Sequence, residues 1–419
     1  MDRVLQFALS QFVRRGSLEL VTARGTRLTL GDGDEPKVVM RFADRAAERL
    51  FLWDPELKLG ELFTDGRIMI EEGSIYDFFK LVMQDSGGDR SKLPVQLTRR
   101  LRSIARWLRT ENRLSEAKGN VAHHYDLDER LYRLFLDSDR QYSCAYFEHP
   151  DQSLEDAQLA KKRHIAAKLL IEPGHNVLDI GSGWGGLALY LAEIAGAGSV
   201  KGITLSEEQL AASRRRAAER GLNQVVSFEL DDYRAVHGRF DRIVSVGMFE
   251  HVGPKFYDAY FQAVARLLAD GGVTLLHTIG RTGTPDYTNP WITKYIFPGG
   301  HLPTLSEIMP PVERAGLAVA DVEVLRLHYA ETLRAWRERF LARREEATQL
   351  YDERFCRMWE CYLSMAEASF RFEDLVVFQL QLAKRNDVVP LTRDYVSERE
   401  AALRSAERAP MRITAEAGE

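Results

Sequence analysis

The chain has 419 residues, with 57 Lys+Arg against 62 Asp+Glu, 45% hydrophobic and 28% charged residues. This is the balance of a soluble globular protein of roughly two or three domains, and it excludes collagen-like, disulfide-scaffold and wholly disordered chains. A net charge of -5 points to no nucleic-acid partner, and the three cysteines, Cys144, Cys356 and Cys361, form no CxxC pair and fit a reducing cytosol.

The chain opens on a short amphipathic helix, with Val4, Leu5, Ala8, Leu9 and Phe12 at helical spacing. It lacks the clean apolar core and small-residue cleavage site of a signal peptide. No stretch reaches the ~20 apolar residues of a membrane span, so a cytoplasmic location is expected. Val21 to Leu30 alternates as a strand, 31–36 is a loop, Val38 to Phe42 is a second strand and Tyr76 to Met83 a helix. Residues 1–95 read as a small α+β accessory domain without a chemical motif.

Between 96 and 120 the pattern changes. Leu97, Leu101, Ile104 and Leu108 share one helical face, and Arg99, Arg102, Arg106 and Arg109 another. Such a helix either lies on anionic lipid or packs as a linker with a solvated arginine face.

From about 150 strands and helices alternate. Strands are predicted at Asn176–Ile180, Val200–Ile203, Val225–Leu230, Asp241–Val246, Gly272–His277, Ala318–Leu325 and Leu375–Leu382. Helices include Ser153–Leu170, Gly185–Ile194, Glu207–Arg220 and Lys255–Leu268. That alternation specifies an α/β fold with a doubly wound, mainly parallel sheet. Arg281 to Gly300 is a Pro/Gly-punctuated loop carrying Tyr287, Trp291, Tyr295 and Phe297; Glu331 to Phe372 is long, helical and aromatic. Both are expected to cover the carboxyl ends of the strands, where ligands bind. The catalytic domain is set at 121–395, and 396–419 is expected to be a loose charged tail.

The run Val177-Leu-Asp-Ile-Gly-Ser-Gly-Trp-Gly-Gly186 is a strand entering a glycine loop and then a helix. Glycines let the backbone approach a ligand, and the helix start offers free N–H groups. Asp179 before the loop, the spacing Gly181-x-Gly183-x-Gly185 and a second strand ending Gly202-Ile-Thr-Leu-Ser206 without a ribose-binding acid favour S-adenosylmethionine over NAD.

This loop, with Asp231-Asp-Tyr-Arg234, Phe240 to Gly253 (Met-Phe-Glu-His at its centre) and Leu275-Leu-His-Thr-Ile-Gly280, resembles the cyclopropane-fatty-acyl-phospholipid synthase family. Upstream, His123-His-Tyr-Asp126 and Gln141-Tyr-Ser-Cys-Ala-Tyr-Phe147 match it. Downstream, Trp291 to Gly300 and His328-Tyr-Ala-Glu-Thr-Leu333 continue the match. The related mycolic acid cyclopropane synthases share these motifs but lack most of the N-terminal unit, so this chain is more similar to the phospholipid-acting branch. One departure is Ser182, where the family usually has Cys.

The resemblance implies a class I methyltransferase fold, Rossmann-like, with seven strands, one of them reversed. It implies that Gly181, Gly183 and Gly185 pass close to the methionine part of S-adenosylmethionine, that Thr204 and Gln209, with Leu205 and Ser206 beside them, hold the ribose, that Tyr142 and Ser143 close over the cofactor, and that Asp232 and Tyr233 face the adenine. It further implies a bound bicarbonate ion as base, held by Cys144, Glu250, His277, Tyr329 and the main chain of Ile279. The expected activity is addition of a methylene group to the double bond of an unsaturated phospholipid acyl chain.

An isolated alkene is a poor nucleophile, and methyl transfer to it leaves a carbocation. The site must then exclude water, tolerate positive charge and hold a base. Tyr142, Tyr146, Phe147, Phe249, Tyr295 and Tyr329 are candidate aromatic faces for the cation. Nothing calls for a covalent thiol, and no HExxH or His/Cys cluster suggests a metal. Two other readings stay open: a methyltransferase making methyl-branched or methylene acyl chains, and a non-catalytic lipid-binding protein. The expected partners are the bilayer surface, reached by peripheral association with the inner face of the membrane, and a second copy of the chain through the N-terminal unit.

Overall fold

The computed structural model describes residues 2–10, 12–84 and 128–408. The basic helix expected over 97–109 and the His123–Asp126 motif lie outside these residues.

The N-terminal unit is a four-stranded sheet in the order β2-β1-β3-β4, formed by β1 (Ser17–Val21), β2 (Arg27–Gly31), β3 (Lys37–Phe42) and β4 (Ile68–Glu72). Val21 to Leu30, expected as one strand, is instead a hairpin turning at 22–26. Gly25 sits at φ +80, and its N–H donates to Thr22 O at 2.8 Å. A residue with no Cβ takes that conformation at little cost, and polar/apolar alternation alone does not reveal it. Three further elements were not foreseen: β4 and the helices Arg45–Trp53 and Pro55–Thr64. Asp44 caps the first helix through Ala46 and Ala47 N–H and also binds Arg67, which holds its carboxyl down at about 2. The helices Asp2–Ser10 and Ile75–Met83 form as read.

The larger unit is a seven-stranded sheet, ordered β10-β11-β9-β8-β5-β6-β7. Its strands are β5 (Asn176–Ile180), β6 (Ser199–Thr204), β7 (Val226–Leu230), β8 (Phe240–Val246), β9 (Leu268–Arg281), β10 (Ala318–Leu325) and β11 (Leu375–Ala383). Only β11 runs against its neighbours, antiparallel to both β9 and β10. Successive residues point to opposite faces, so Val177, Val200 and Val244 pack against Leu187 and Ile165 on one side. Leu178, Ile203 and Ile243 pack against Phe261, Val264 and Ile308 on the other. Both faces are thus covered, and the fold is the class I methyltransferase fold.

Two expectations are corrected, and one, the helical stretch 331–372, holds as three helices. The loop 281–300 contains a short helix, Pro290–Tyr295, capped by Asn289. Residues 331–372 form three helices, His328–Ala342, Arg344–Leu350 and Glu353–Phe372. The tail expected to be loose from 396 is, through residue 408, the helix Asp394–Arg408. Its acids meet buried cations: Glu407 pairs with Arg163 at 2.8 Å, and Glu400 binds His164 at 2.6 Å. The helix Leu154–Lys168 accordingly buries Lys161, Lys162, Arg163, His164 and Lys168.

Candidate active site

The loop after β5 carries Gly181, Gly183 and Gly185, all at positive φ. A Cβ on Gly181 would meet Met248 at 2.8 Å, and one on Gly185 would meet Phe228 at 2.7 Å, so these two are required by packing. A Cβ on Gly183 would meet nothing within 4 Å; its glycine leaves space that a ligand can use. Asp179 is wholly buried, its Oδ2 has no partner among the described residues, and burial pushes its carboxyl up to about 7. Beyond β6, Thr204 donates to Gln209 Oε1 at 3.0 Å. Ser206 caps the helix Glu207–Glu219 by accepting from Gln209 N–H, with half-buried Leu205 beside it. Asp232, after β7, is bound by Arg234 at 2.7 Å, and the Tyr233 ring packs edge-on to Tyr260 in the core. These residues share the carboxyl ends of three adjacent strands, where a nucleotide-like cofactor fits. Ser182 fills its position without disturbance, its Oγ at 3.4 Å from Ile203 O.

The second group of residues lies around a cavity of about 300 Å³. Tyr142, Ser143, Cys144, Glu250, His277, Ile279 and Tyr329 all line it. Glu250 stands on a single helical turn, Phe249–His251, just past β8. Its Oε1 accepts the Ile279 N–H at 2.7 Å, while Oε2 is buried without a partner among the described residues. Burial raises this carboxyl to about 7. Of the Ile279 main chain expected at the anion, the N–H is therefore committed to Glu250. His277 on β9 is held neutral, since burial depresses it to about 3. The neighbouring His251 is likewise pushed down by burial, to about 4. Cys144 is buried, its thiol donates to Ala145 O at 3.3 Å, and burial pushes its pKa upward. A thiol in that setting is a small packed group and not a nucleophile.

Of the six aromatic residues considered as cation faces, only Tyr142 and Tyr329 line the cavity. Phe249 is stacked on Tyr257 in the core, Tyr146 is sandwiched between His164 and His328, Tyr295 binds Glu61, and Phe147 packs beside His328. Tyr287, Phe297, Tyr362 and Phe370 wall the cavity as well. Tyr142 OH lies 2.9 Å from Tyr362 OH, and the Tyr142 ring stacks on Trp336.

Sequence reasoning missed Lys161, whose buried ammonium donates to Ser143 Oγ at 2.7 Å and Gln141 Oε1 at 2.8 Å. Burial lowers it to about 8. It also missed Glu56 and Met83, which bring the N-terminal unit into the cavity wall. Glu56 accepts from Tyr287 OH, and Gly60 lies so close under Trp291 that a Cβ would sit 2.6 Å from its ring. Residues so distant in sequence leave no local signal. Among the described residues no cluster of His, Cys, Asp and Glu is placed to hold a metal, and no helix is long and apolar enough to cross a membrane.

Residues 112–380 match the family described as mycolic acid cyclopropane synthetase. The chain is 42% identical over 335 residues to the cyclopropane-fatty-acyl-phospholipid synthase of Escherichia coli K12, covering 80% of this chain and 84% of the relative. It is 42% identical over 326 residues to a probable fatty acid methyltransferase of Pseudomonas putida, covering 75% and 79%. Its fold is similar to the crystal structure of the mycolic acid cyclopropane synthase CmaA1 complexed with SAH and CTAB, at 34% identity and a TM-score of 0.60, over 63% of this chain and 97% of that one.

Proposed function

Since the chain belongs to the mycolic acid cyclopropane synthetase family, we propose that it builds a cyclopropane ring on an unsaturated acyl chain of a membrane phospholipid. It is an S-adenosylmethionine-dependent methyltransferase, and that cofactor, when bound, supplies the electrophilic methyl that becomes the ring carbon. Gly183, Thr204, Gln209 and Asp179 are the residues that fit it best, with Tyr142 and Ser143 between it and the acyl cavity.

The observation that carries this reading is the cavity itself: apolar and aromatic walls around a buried Glu250 oxygen with no partner among the described residues. The walls exclude water that would trap a cation as an alcohol. The rings of Tyr142, Tyr329, Tyr362 and Phe370 offer cation–π attraction of about 0.5–2 kcal/mol each. Ring closure then needs removal of a proton from the added methyl group. Glu250 Oε2 as acceptor, with His277 and Tyr329 as donors and Cys144 beside them, fits a small oxyanion such as bicarbonate, which would supply the base. Ile279 supports that site through Glu250.

Lipid mass spectrometry of a host with and without this protein tests the reading. The expected result is one CH2 added to monounsaturated chains, with NMR showing the ring. A methyl branch in place of the ring would support the second reading, which the similarity to a probable fatty acid methyltransferase favours. No change in the lipids would overturn both. Enzyme freed of bicarbonate should slow and recover on adding it back.

The substrate also implies docking on a bilayer. We assign this to the N-terminal unit, where Val4, Phe7 and the 86%-exposed Trp53 face outward, and to the arginines of 99–109. Each basic residue near an anionic surface is worth about 1 kcal/mol, screened by salt. Liposome flotation should show salt-sensitive binding that weakens when Arg102, Arg106 and Arg109 become Glu. A homodimer through the same unit is checked by light scattering.

A further inference from the structure

The run Leu375-Val-Val-Phe-Gln-Leu-Gln-Leu-Ala383 places two glutamines in an otherwise apolar strand between β10 and β9, and both are fully buried. Buried polar side chains are hydrogen-bonded as a rule, so each should have a partner that justifies it. Gln381 does: its amide donates to Lys168 O at 2.6 Å and its oxygen accepts from Tyr395 OH at 3.0 Å. Both of these partners are structural. Gln379, two residues earlier on the same face, differs. It stands directly opposite His277 across the β9–β11 ladder, its amide nitrogen lies 3.2 Å from His277 Nδ1, and its oxygen has no partner among the described residues.

An amide nitrogen donates and does not accept. With the amide nitrogen turned to the ring, Nδ1 presents its lone pair to Gln379 and the single ring proton of neutral His277 resides on Nε2. His277 and Glu250 both line the cavity, and Nε2 is the ring nitrogen that Gln379 leaves available to it. The other tautomer would leave no imidazole donor on that edge for an anion.

We propose that Gln379 is a positioning residue, fixing the Nε2–H tautomer of His277 and so making the imidazole a hydrogen-bond donor to an oxyanion in the cavity. Gln379 does not line the cavity and acts only through His277. The inference rests on the reading of that cavity as the proposed active site. Partners of this kind, placed behind a functional histidine, also fix ring orientation elsewhere, and losing them typically costs about 10–100-fold in function.

The test uses the full chain labelled with 15N-histidine, the His277 signals being identified by their loss in His277→Gln. Two-bond 1H–15N correlations should show Nε2 protonated and Nδ1 bare in the wild type. Gln379→Glu replaces the donor with an acceptor, so the proton should move to Nδ1 or the ring should become charged. Product formation should then fall about 10–100-fold, with S-adenosylhomocysteine affinity unchanged. Gln379→Met, which neither donates nor accepts strongly, should give a mixture of tautomers and an intermediate rate, and serves if the Glu variant folds poorly. Gln381→Met is the control for packing: it should lower stability and leave the tautomer alone. Protonated Nδ1 in the wild type, an unchanged tautomer in both Gln379 variants, or an equal loss of rate in Gln381→Met would each overturn the proposal. The tautomer is read without substrate, so it decides the role of Gln379 even if the lipid experiment refutes the proposed reaction.

Discussion

Glu250 has one carboxylate oxygen tied to the Ile279 N–H and one left over, and the difference between them is what a substitution exposes. Glu250→Gln keeps the shape but places an NH2 where an acceptor stood. Product formation should drop about 10²–10⁴-fold, the scale of a positioned proton-transfer group, while calorimetry finds S-adenosylhomocysteine binding near wild type. Wild-type turnover at Glu250→Gln would show the clamp to be misassigned. The same carboxyl governs pH dependence. Glu250 and Asp179 are both raised to about 7 by burial, so between roughly pH 4 and 7 the folded chain holds protons that the unfolded chain has released. The stability this contributes is fully present below the unfolded values and is lost as pH rises through about 7. Below about pH 6.5 the depressed His277 and His251, which the unfolded chain protonates and the folded chain does not, offset this loss. The urea midpoint of the ligand-free protein should therefore fall between about pH 6.5 and pH 8, and Glu250→Gln should flatten that fall. A midpoint rising over this range would contradict the burial of both groups. All three cysteines are buried, and burial raises their thiols. A thiol reagent should find them slow in the native protein and fast only after unfolding.

At the scale of the elements, the sheet was legible because its strands are continuous apolar runs of β-branched residues ended by glycine loops. The charged helices were less so. Lys161, Lys162, Arg163, His164 and Lys168 form a charge run of the kind that normally faces solvent, yet all five are buried: Asp139, Glu148, Glu323, Glu400 and Glu407 meet the last four, and Ser143 and Gln141 meet Lys161. No local pattern reports the counter-charges of Glu323, Glu400 and Glu407, which lie 155 to 244 residues from their partners. The site divided the same way. Glu250, His277 and Cys144 sit in motifs, whereas Gln379 and Lys161 stand out only through a cross-strand neighbour and a helix-to-loop contact. The pairing of Glu407 with Arg163, both below 10% side-chain exposure, yields a prediction. Removing one partner of a buried pair costs about 3–5 kcal/mol when the other is left unpaired. Arg163 keeps Glu148 at 3.2 Å, so Glu407→Ala should lower stability in urea by less, about 1–3 kcal/mol. A change near zero would mean that the helix Asp394–Arg408 contributes little to the fold.

At the scale of the molecule, the N-terminal unit is joined to the methyltransferase unit at the cavity wall. Gly60 permits the close approach to Trp291, and Glu61 binds Lys294 at 2.7 Å and Tyr295 at 2.9 Å. Gly60→Ala would force the buried Trp291 and the segment bearing Asn289 and Ile292 to move. Overpacking of this kind costs about 1–3 kcal/mol. The expected kinetic result is a raised KM for the acyl lipid with unchanged S-adenosylhomocysteine binding, checked by steady-state assays and calorimetry. Equal loss of both would place the defect in the whole fold.

The hydrophobic core that fills the N-terminal unit is not its own. Leu20, Phe42, Phe63 and Phe79 belong to the same continuous cluster as Tyr132, Trp336, Trp359 and Phe370. A unit that shares its interior in this way is not a detachable module. A lineage that shed it by a single deletion would uncover the face of Glu353–Phe372 that packs on Pro55–Thr64 and Ile75–Met83, with Ser369 beside Met83 among the exposed residues. Loss of the unit is therefore passable only alongside polar replacements on that helix. A chain carrying such replacements, and not one merely shortened, is what a functional descendant without the unit must look like.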